Sequence, residues 1–371
     1  MSRQDLPRHI EAAGLAAVVA FSLENVYFTS GTMLLTQRMI PSRLAMTVTY
    51  ADGSASMIVC SIEVAQVQAE TWIKDVHTYT EFVDSPVAAL ASLLRARGLA
   101  SDRVGIESNY LATAYQRELV KLMPELQLCD ADSIFDKARV IKSAEEIELL
   151  RRGAVGTDQA IRRAFESAEI GMTEAQVYET MRSEVLKNGA DGIAFAVVTT
   201  GDNSRLVHPQ PSKTPIKSGD VVRTDFGAFY GAYYGGYYSD LARFAIAGKP
   251  TDRQRDTHNR LREVHDLLLR SARPGARACD LYELCRTSFE ERGLAFRMPH
   301  IGHNIGVFIH EEPMLSPRTQ DELRPGMVMA IEPITLLDGY IFHCEDEIVI
   351  TERGNELLSP AASWAELMTI S

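Results

Sequence analysis

Along residues 1 to about 135, short apolar runs alternate with stretches whose apolar positions recur at helical spacing. Leu15–Phe21, Leu44–Tyr50 and Ser56–Ser61 read as buried strands, and Arg103–Ile106 as a shorter one. Ile62–Ala69 and Pro86–Arg97 place apolar residues three and four apart, the spacing of a helix with one buried face. No cluster of chemically active side chains emerges in this region. Within ENVYFTSG, Asn25 and Tyr27 could reach a pocket, but the run is expected to form a strand and turn.

The pattern changes after Asp130, where a polar segment leads into a long helix. Ser143-Ala-Glu-Glu146 spells a capping box: the Ser143 hydroxyl takes the third backbone amide and Glu146 reaches back to the cap. Ile147, Leu149, Leu150 and Val155 follow as apolar positions. The domain boundary is expected just ahead of this helix, giving an N-terminal domain over 1–135 and a second over 136–371. The second domain carries a diverged repeat. Gly171, Tyr178, Glu179, Arg182 and Gly189 recur, each 104 residues later, as Gly275, Tyr282, Glu283, Arg286 and Gly293. Thr173-x-x-Gln176 is expected to cap one helix and Asp280-x-x-Glu283 its counterpart, the two being stopped by Gly189 and Gly293.

Composition adds bounds. At 371 residues the chain is long for one hydrophobic core, which favours two domains. The net charge of -12 argues against a nucleic acid as main partner and against an anionic membrane surface, since both need a basic face. The acidity is read as a solubilising surface. The start, MSRQDLPRH, lacks an apolar signal core and Ala12–Phe21 is too short to span a bilayer, so a soluble, cytoplasmic protein is expected. The five cysteines include no CxxC pair, which points to reduced thiols.

The candidate chemistry follows the repeat. The first half supplies His208, Asp225 and Asp240. The second supplies His310, Glu332 and Glu345, with His303 in PHIGHNIGVFIHEEP. A duplicated fold with a pseudo-two-fold axis would bring both sets together at that axis. Asp225 and Asp240 read as neighbouring strands of a hairpin turning at Gly231–Gly236; Glu332 ends a strand and Glu345 heads one. Four carboxylates meeting in an interior repel by about 3 kcal/mol per pair at about 5 Å and an effective dielectric of about 20. Two divalent ions would balance them, with His303 as the one nitrogen ligand. Such an oxygen-rich set suits Mn, Co, Fe or Zn.

These motifs together resemble the creatinase/prolidase family of metallopeptidases: RVIKSAEEIELLR, HPQPS with His208, DFG with Asp225, SDLAR with Asp240, GHNIGVFIHEEP with His303 and His310, IEP with Glu332 and ED with Glu345. The resemblance is strongest from Asp136 to Glu352. It implies an α/β protein: a creatinase-like N-terminal α/β domain followed by a pseudo-two-fold α+β pita-bread catalytic domain. It implies Asp225, Asp240, His303, Glu332 and Glu345 as metal ligands, with Asp240 and Glu345 bridging two divalent ions. His208 and His310 match the histidines that hold substrate and the tetrahedral intermediate. The implied reaction is hydrolysis of a C–N bond, as in an Xaa-Pro dipeptidase or aminopeptidase. The nucleophile would be a metal-bridging hydroxide, with Glu332 as proton shuttle and a homodimer as the assembly.

Three departures bear on the substrate. The segment between the two aspartates is longer than the family's by a few tyrosine- and glycine-rich residues. His300 sits one residue closer to His303 than the family pattern puts it. His343 stands two before Glu345, where many prolidase-type members carry an arginine, and it joins His208 and His310 as an expected substrate contact. His300 and His343 are alternatively read as groups orienting the ligands. The tyrosines from Tyr230 to Tyr238 read as packing. The alternatives are a creatinase- or ectoine-hydrolase-like member acting on a small non-peptide amide, and a non-catalytic peptide-binding module.

Overall fold

The computed structural model describes residues 3–40, 42–233, 235–360 and 365–371. The chain divides into two compact units, one ending at Arg139 and one beginning at Val140.

The N-terminal unit is built on one mixed sheet. Its strands are β1 (Ala17–Ala20), β2 (Met46–Tyr50), β3 (Ala55–Cys60), β4 (Asp75–Tyr79), β5 (Arg103–Ile106) and β6 (Gln127–Asp130), ordered β4-β3-β2-β1-β5-β6. β1 and β2 are buried along their whole length; β1 is apolar throughout, and β2 buries Thr47 and Thr49 along with its apolar residues. The first unit runs four residues past the expected boundary because the helix Asp132–Arg139 buries Ile134, Phe135 and Ala138 within it.

ENVYFTSG is a helix, Leu23–Ser30, rather than a strand and turn. The Ser22 hydroxyl accepts the Asn25 amide at 3.1 Å and so nucleates the helix. The Asn25 side chain donates to buried Glu107 at 2.6 Å, which gives it a structural role.

The second unit contains two halves of one design. In the first, helices Ala144–Ser167 and Glu174–Lys187 pack on β7 (Gly192–Thr199), β8 (Val221–Ala232), β9 (Gly235–Tyr238) and β10 (Leu241–Ala247). In the second, helices Asp252–Ser271 and Ala278–Glu291 accompany β11 (Gly302–Asn304), β12 (Glu311–Met314), β13 (Val328–Ile331), β14 (Ile334–Leu337), β15 (Tyr340–His343), β16 (Asp346–Thr351) and β17 (Gly354–Leu357). The final strand, β18 (Met368–Ile370), returns to the first half and pairs parallel with β10. The two sheets are ordered β18-β10-β8-β7, with β9 on β8, and β12-β11-β13-β16-β17. Among the described residues, no helix is long and apolar enough to cross a membrane.

The repeat is visible atom by atom. Helix Ala278–Glu291 begins and ends 104 residues after Glu174–Lys187. Arg182 pairs with Glu179 and Arg286 with Glu283 in the same way, both through Nε at 2.9 Å. Gly171 donates to Ile216, and Gly275 to Leu323, at 2.9 Å in each case. The capping boxes at Ser143 and Thr173 form as expected. The one at Asp280 does not. Arg277 occupies the cap without a side-chain bond, and Asp280 lies in the first turn, paired with the Arg277 guanidinium. Two first-turn amides, those of Ala278 and Cys279, donate instead to the carbonyls of Asp321 and Thr319, so that end needs no polar cap residue.

The added segment between the two aspartates is the β8–β9 hairpin, in which Ala232 pairs with Gly235; Tyr234 lies outside the described residues. Tyr230 and Tyr237 are buried, as packing residues would be, whereas Tyr233 is exposed.

Candidate metal centre

Strand register decides which side chains converge. Asp225 lies opposite Ala242 across β8 and β10, and Asp240 precedes Ala242 by two, so both carboxylates leave the same face. In the other half, His303 and Glu347 both lie opposite Ala330. Glu332 follows Ala330 by two and Glu345 precedes Glu347 by two, which puts His303, Glu332 and Glu345 on one face as well. His343 shares that parity. Cys344, pointing the other way, is buried in the apolar core with Phe342 and Ile348.

The two faces meet. His303 Nε2 lies 3.7 Å from Asp240 Oδ2, 3.7 Å from Glu332 Oε1 and 3.8 Å from Glu345 Oε1. Ligand atoms of His303, Glu332 and Glu345 fall within 4.8 Å of one another, as do those of Asp225, Asp240 and Glu345. His310, at the mouth, joins Asp240 and His303 in a third such group, its ring 4.0 Å from that of His303. His300 Nδ1 is 3.2 Å from Glu332 Oε1. His343 is buried, and its ring nitrogens face Asp225, Glu332 and Glu345.

The electrostatics are those of crowded acids. Burial, and then the charges of Asp225 and Glu332, push Asp240 well above the usual carboxylate range; burial and Asp240 do the same to Glu345. Burial would also raise Glu332. The imidazoles of His300 and His343, with His303, more than offset that and hold its carboxyl below its ordinary range. Burial lowers His303 to about 4, leaving a neutral imidazole able to ligate. Partial burial lowers His310, while the Glu332 carboxylate raises His300. Asp240 Oδ1, His303 Nε2, Glu332 Oε1 and Glu345 Oε1 are all buried without a hydrogen-bond partner among the described residues. Polar atoms so placed are satisfied by cations.

Three supports for this cluster were not singled out from sequence. Arg243 is fully buried, and its Nη2 donates to Asp158 at 2.9 Å and Asp346 at 2.6 Å. Its Nη1 donates to the backbone carbonyl of Glu345, so one guanidinium holds the strand head in place. Lys142 donates to Asn304 at 2.7 Å and Glu311 at 2.8 Å, bracing both ends of the segment that carries His310. Arg223 donates to the carbonyls of Leu206 and Val207, fixing the approach to exposed His208. Lone arginines and lysines carry no sequence signal for such roles.

A cavity of about 820 Å³ opens onto the cluster, lined by His208, His310, Glu332, Phe195 and Arg297 among others.

Residues 148–352 match the sequence profile of metallopeptidase family M24, and residues 3–141 that of the creatinase/prolidase N-terminal domain. The chain belongs to metallopeptidase family M24. This metallopeptidase is 31% identical over 261 residues to an Xaa-Pro dipeptidase of Pyrococcus horikoshii, covering 69% of this chain and 72% of that protein. It is 32% identical over 260 residues to an uncharacterized peptidase of Bacillus subtilis, with the same shares covered. Among solved structures, the prolidase from Pyrococcus horikoshii superposes with a TM-score of 0.83 at 27% identity, over 96% of this chain and 97% of that one. An Xaa-Pro dipeptidase from Bacillus anthracis shares the fold, with a TM-score of 0.86 at 23% identity over 99% of each chain. The enzyme therefore has the creatinase-like N-terminal domain and the pita-bread catalytic domain. Its family uses divalent metal ions, and the acidic clusters fit that chemistry.

Proposed function

We propose that this metallopeptidase hydrolyses the bond preceding proline in small Xaa-Pro peptides. The observation that carries the reading is the meeting of four carboxylates and a neutral imidazole, several of their atoms unpartnered, at the floor of the cavity. The 31% identity to an Xaa-Pro dipeptidase supports the substrate class.

In this reading Asp225, Asp240, His303, Glu332 and Glu345 hold two divalent ions drawn from Mn, Co, Fe or Zn. Asp240 and Glu345, which each belong to two of the donor groups, would be shared between the ions, as the family resemblance implies. When bound, the ions polarise the scissile carbonyl and bring the pKa of a water to about 7. Glu332 carries a proton from the attacking water toward the leaving amine, the role that the family resemblance implies for it. His310, at the mouth beside His303, donates to the developing oxyanion. His208, which also lines the cavity, holds the substrate. Arg297, also on the cavity wall, meets a free substrate carboxylate. The homodimer remains a proposal from the family resemblance, read by sedimentation.

The test is a panel of Xaa-Pro dipeptides, Xaa-Pro-initiated tripeptides, non-proline dipeptides and small cyclic amides, assayed after reloading with each metal. Cleavage restricted to Xaa-Pro bonds is expected. Turnover of the cyclic amides alone would replace this reading with the non-peptide one.

A further inference from the structure

The repeat offers an internal comparison at the loop that joins the two helices of each half. Helices Ala144–Ser167 and Asp252–Ser271 end 104 residues apart. From there the first half reads Glu166-Ser-Ala-Glu169-Ile-Gly171-Met-Thr173, and the second reads Arg270-Ser-Ala-Arg273-Pro-Gly275-Ala-Arg277. The two loops are held by the same bonds. Gly171 donates to Ile216 and Gly275 to Leu323, and the amides of Ile216 and Leu323 donate back to Met172 and Ala276, at 2.8 Å in each case. One backbone is thus built twice, once with two glutamates and a threonine and once with three arginines. The fold does not require the arginines.

Arg270, Arg273 and Arg277 line a cavity of about 710 Å³, a size usual for small-molecule sites, and Arg353 joins them from the turn between β16 and β17. All four are exposed to solvent. Arg277 pairs with Asp280 at 2.9 Å. The guanidiniums of Arg270, Arg273 and Arg353 have neither an ion pair nor a hydrogen bond among the described residues. Asp280 and Glu352 are the acids on this wall, two against four arginines, in a chain whose net charge is -12. The carbonyls of Leu269 and Ala272, at the end of helix Asp252–Ser271, would repel an anion, but the Asn355 side chain donates to both. The cavity shares no lining residue with the one over the metal cluster. It lies past the far end of β16, the strand that Glu345 heads, about 20 Å away at about 3.3 Å per residue.

We propose that this cavity is a binding site for a small anion carrying two or more phosphate groups, separate from the peptidase centre. Guanidinium forks match phosphate oxygens two at a time. Like charges gathered around one cavity repel, and a polyanion placed among them turns that repulsion into attraction. A lone carboxylate would compensate one guanidinium and leave two, whereas an oligophosphate brings several charges within a few ångströms. Inorganic polyphosphates and nucleotides share this chemistry.

The test installs the first half's own residues: Arg270→Glu, Arg273→Glu and Arg277→Thr together. The twin loop already carries them, and Thr173 caps its helix. Metal-loaded, full-length wild type and triple variant are titrated calorimetrically with inorganic triphosphate, ATP and inorganic phosphate, with metal retention checked by elemental analysis. Salt is kept at about 0.15 M, so that long-range attraction is screened. Wild type is expected to bind one equivalent of triphosphate and of ATP, and inorganic phosphate more weakly. The triple variant should lose at least about a hundredfold in affinity for triphosphate, while its circular dichroism and peptidase turnover stay unchanged. Arg353→Ala, a single change in a surface turn, should lose about tenfold. Equal affinities for triphosphate and ATP would assign the site to the phosphate chain, and tighter ATP to a nucleotide. Binding of equal strength in wild type and both variants would place the phosphates at the metal cluster and overturn the site. So would the absence of saturable binding to wild type. If no probe binds and the triple variant alone sediments as a monomer, the arginines form a subunit contact and the proposal falls.

Discussion

The backbone N–H of Asp240 donates to Oε1 of Glu347 at 2.7 Å. One residue belongs to the first half of the catalytic unit and the other to the second. A second bond, from the Glu345 amide to the Ala242 carbonyl at 3.1 Å, crosses the same seam. One backbone-to-side-chain and one backbone-to-backbone bond across the pseudo-two-fold seam therefore set the spacing of the strands that carry the carboxylates. This rigidity is what a metal site needs, since its donors must be held within fractions of an ångström.

Asp240→Asn and Glu345→Gln each remove one charge from a proposed bridging position. Each variant is expected to keep its circular dichroism spectrum, to lose at least one metal per chain by elemental analysis, and to lose nearly all turnover. Normal stoichiometry and normal turnover in both would refute the bridging assignment.

His310→Ala should lower kcat and kcat/KM together, by about a hundred- to a thousandfold, the usual effect of deleting an oxyanion donor. Steady-state kinetics on an Xaa-Pro dipeptide decide it. A change confined to KM would make His310 a ground-state contact.

Arg297→Ala separates carboxylate recognition from catalysis. A charged hydrogen bond contributes about 1.5–3 kcal/mol, so kcat/KM for a free dipeptide should fall about ten- to a hundredfold. The C-terminal amide of the same dipeptide should change less than about twofold. Equal losses on both substrates would remove Arg297 from the binding site.

Arg243→Ala takes from buried Asp158 and Asp346 the guanidinium that they share, each at under 3 Å. The expected loss is about 3–5 kcal/mol of stability, the range for breaking a buried ion pair from one side. Urea unfolding of the metal-free protein measures it, and a loss under about 1 kcal/mol would mean the network contributes no more than a surface pair.

The metal-free fold should weaken as pH rises above neutrality. Burial and neighbouring carboxylates raise Asp240 and Glu345, and burial takes Glu347 up to about 8. The folded state therefore holds more protons than the unfolded chain, and the contribution of these groups falls as pH climbs through their folded values. His303, lowered to about 4, acts with the opposite sign, but only below about 6.5, where the unfolded imidazole takes up a proton. Between about pH 6.5 and 8 these carboxylates and His300, which the Glu332 carboxylate raises, set the slope in the same direction. Denaturation midpoints of chelator-treated protein should drop across that window, and metal should remove the drop. A rising midpoint in the metal-free protein would contradict the protonated-cluster picture.

Much of this enzyme is legible in its sequence because the relevant signals are local. Capping boxes at Ser143 and Thr173 need only neighbours three residues apart, and both formed. The 104-residue repeat exposed the duplicated architecture, since two copies of one backbone keep the same glycines where φ is positive: Gly171 with Gly275, Gly189 with Gly293. Local signals also misled. ENVYFTSG has a strand-like composition, yet Ser22 and the buried Glu107 make it a helix; Asp280 has a capping residue's identity without its position.

The sequence by itself determined which acidic and imidazole side chains are candidates for donors, and their order along the chain, because metal chemistry restricts which side chains can serve. Tertiary structure alone decided which of them share a face and how far apart they lie. Strand alternation gives parity within one strand, but only the pairing of Asp225 with Ala242 and of Ala330 with Glu347 aligns separate strands. For the same reason His343, read from sequence as a substrate contact, comes to face three carboxylates, and Arg243 comes to lie beneath the cluster. Both outcomes depend on contacts between residues about a hundred positions apart, which no local pattern encodes.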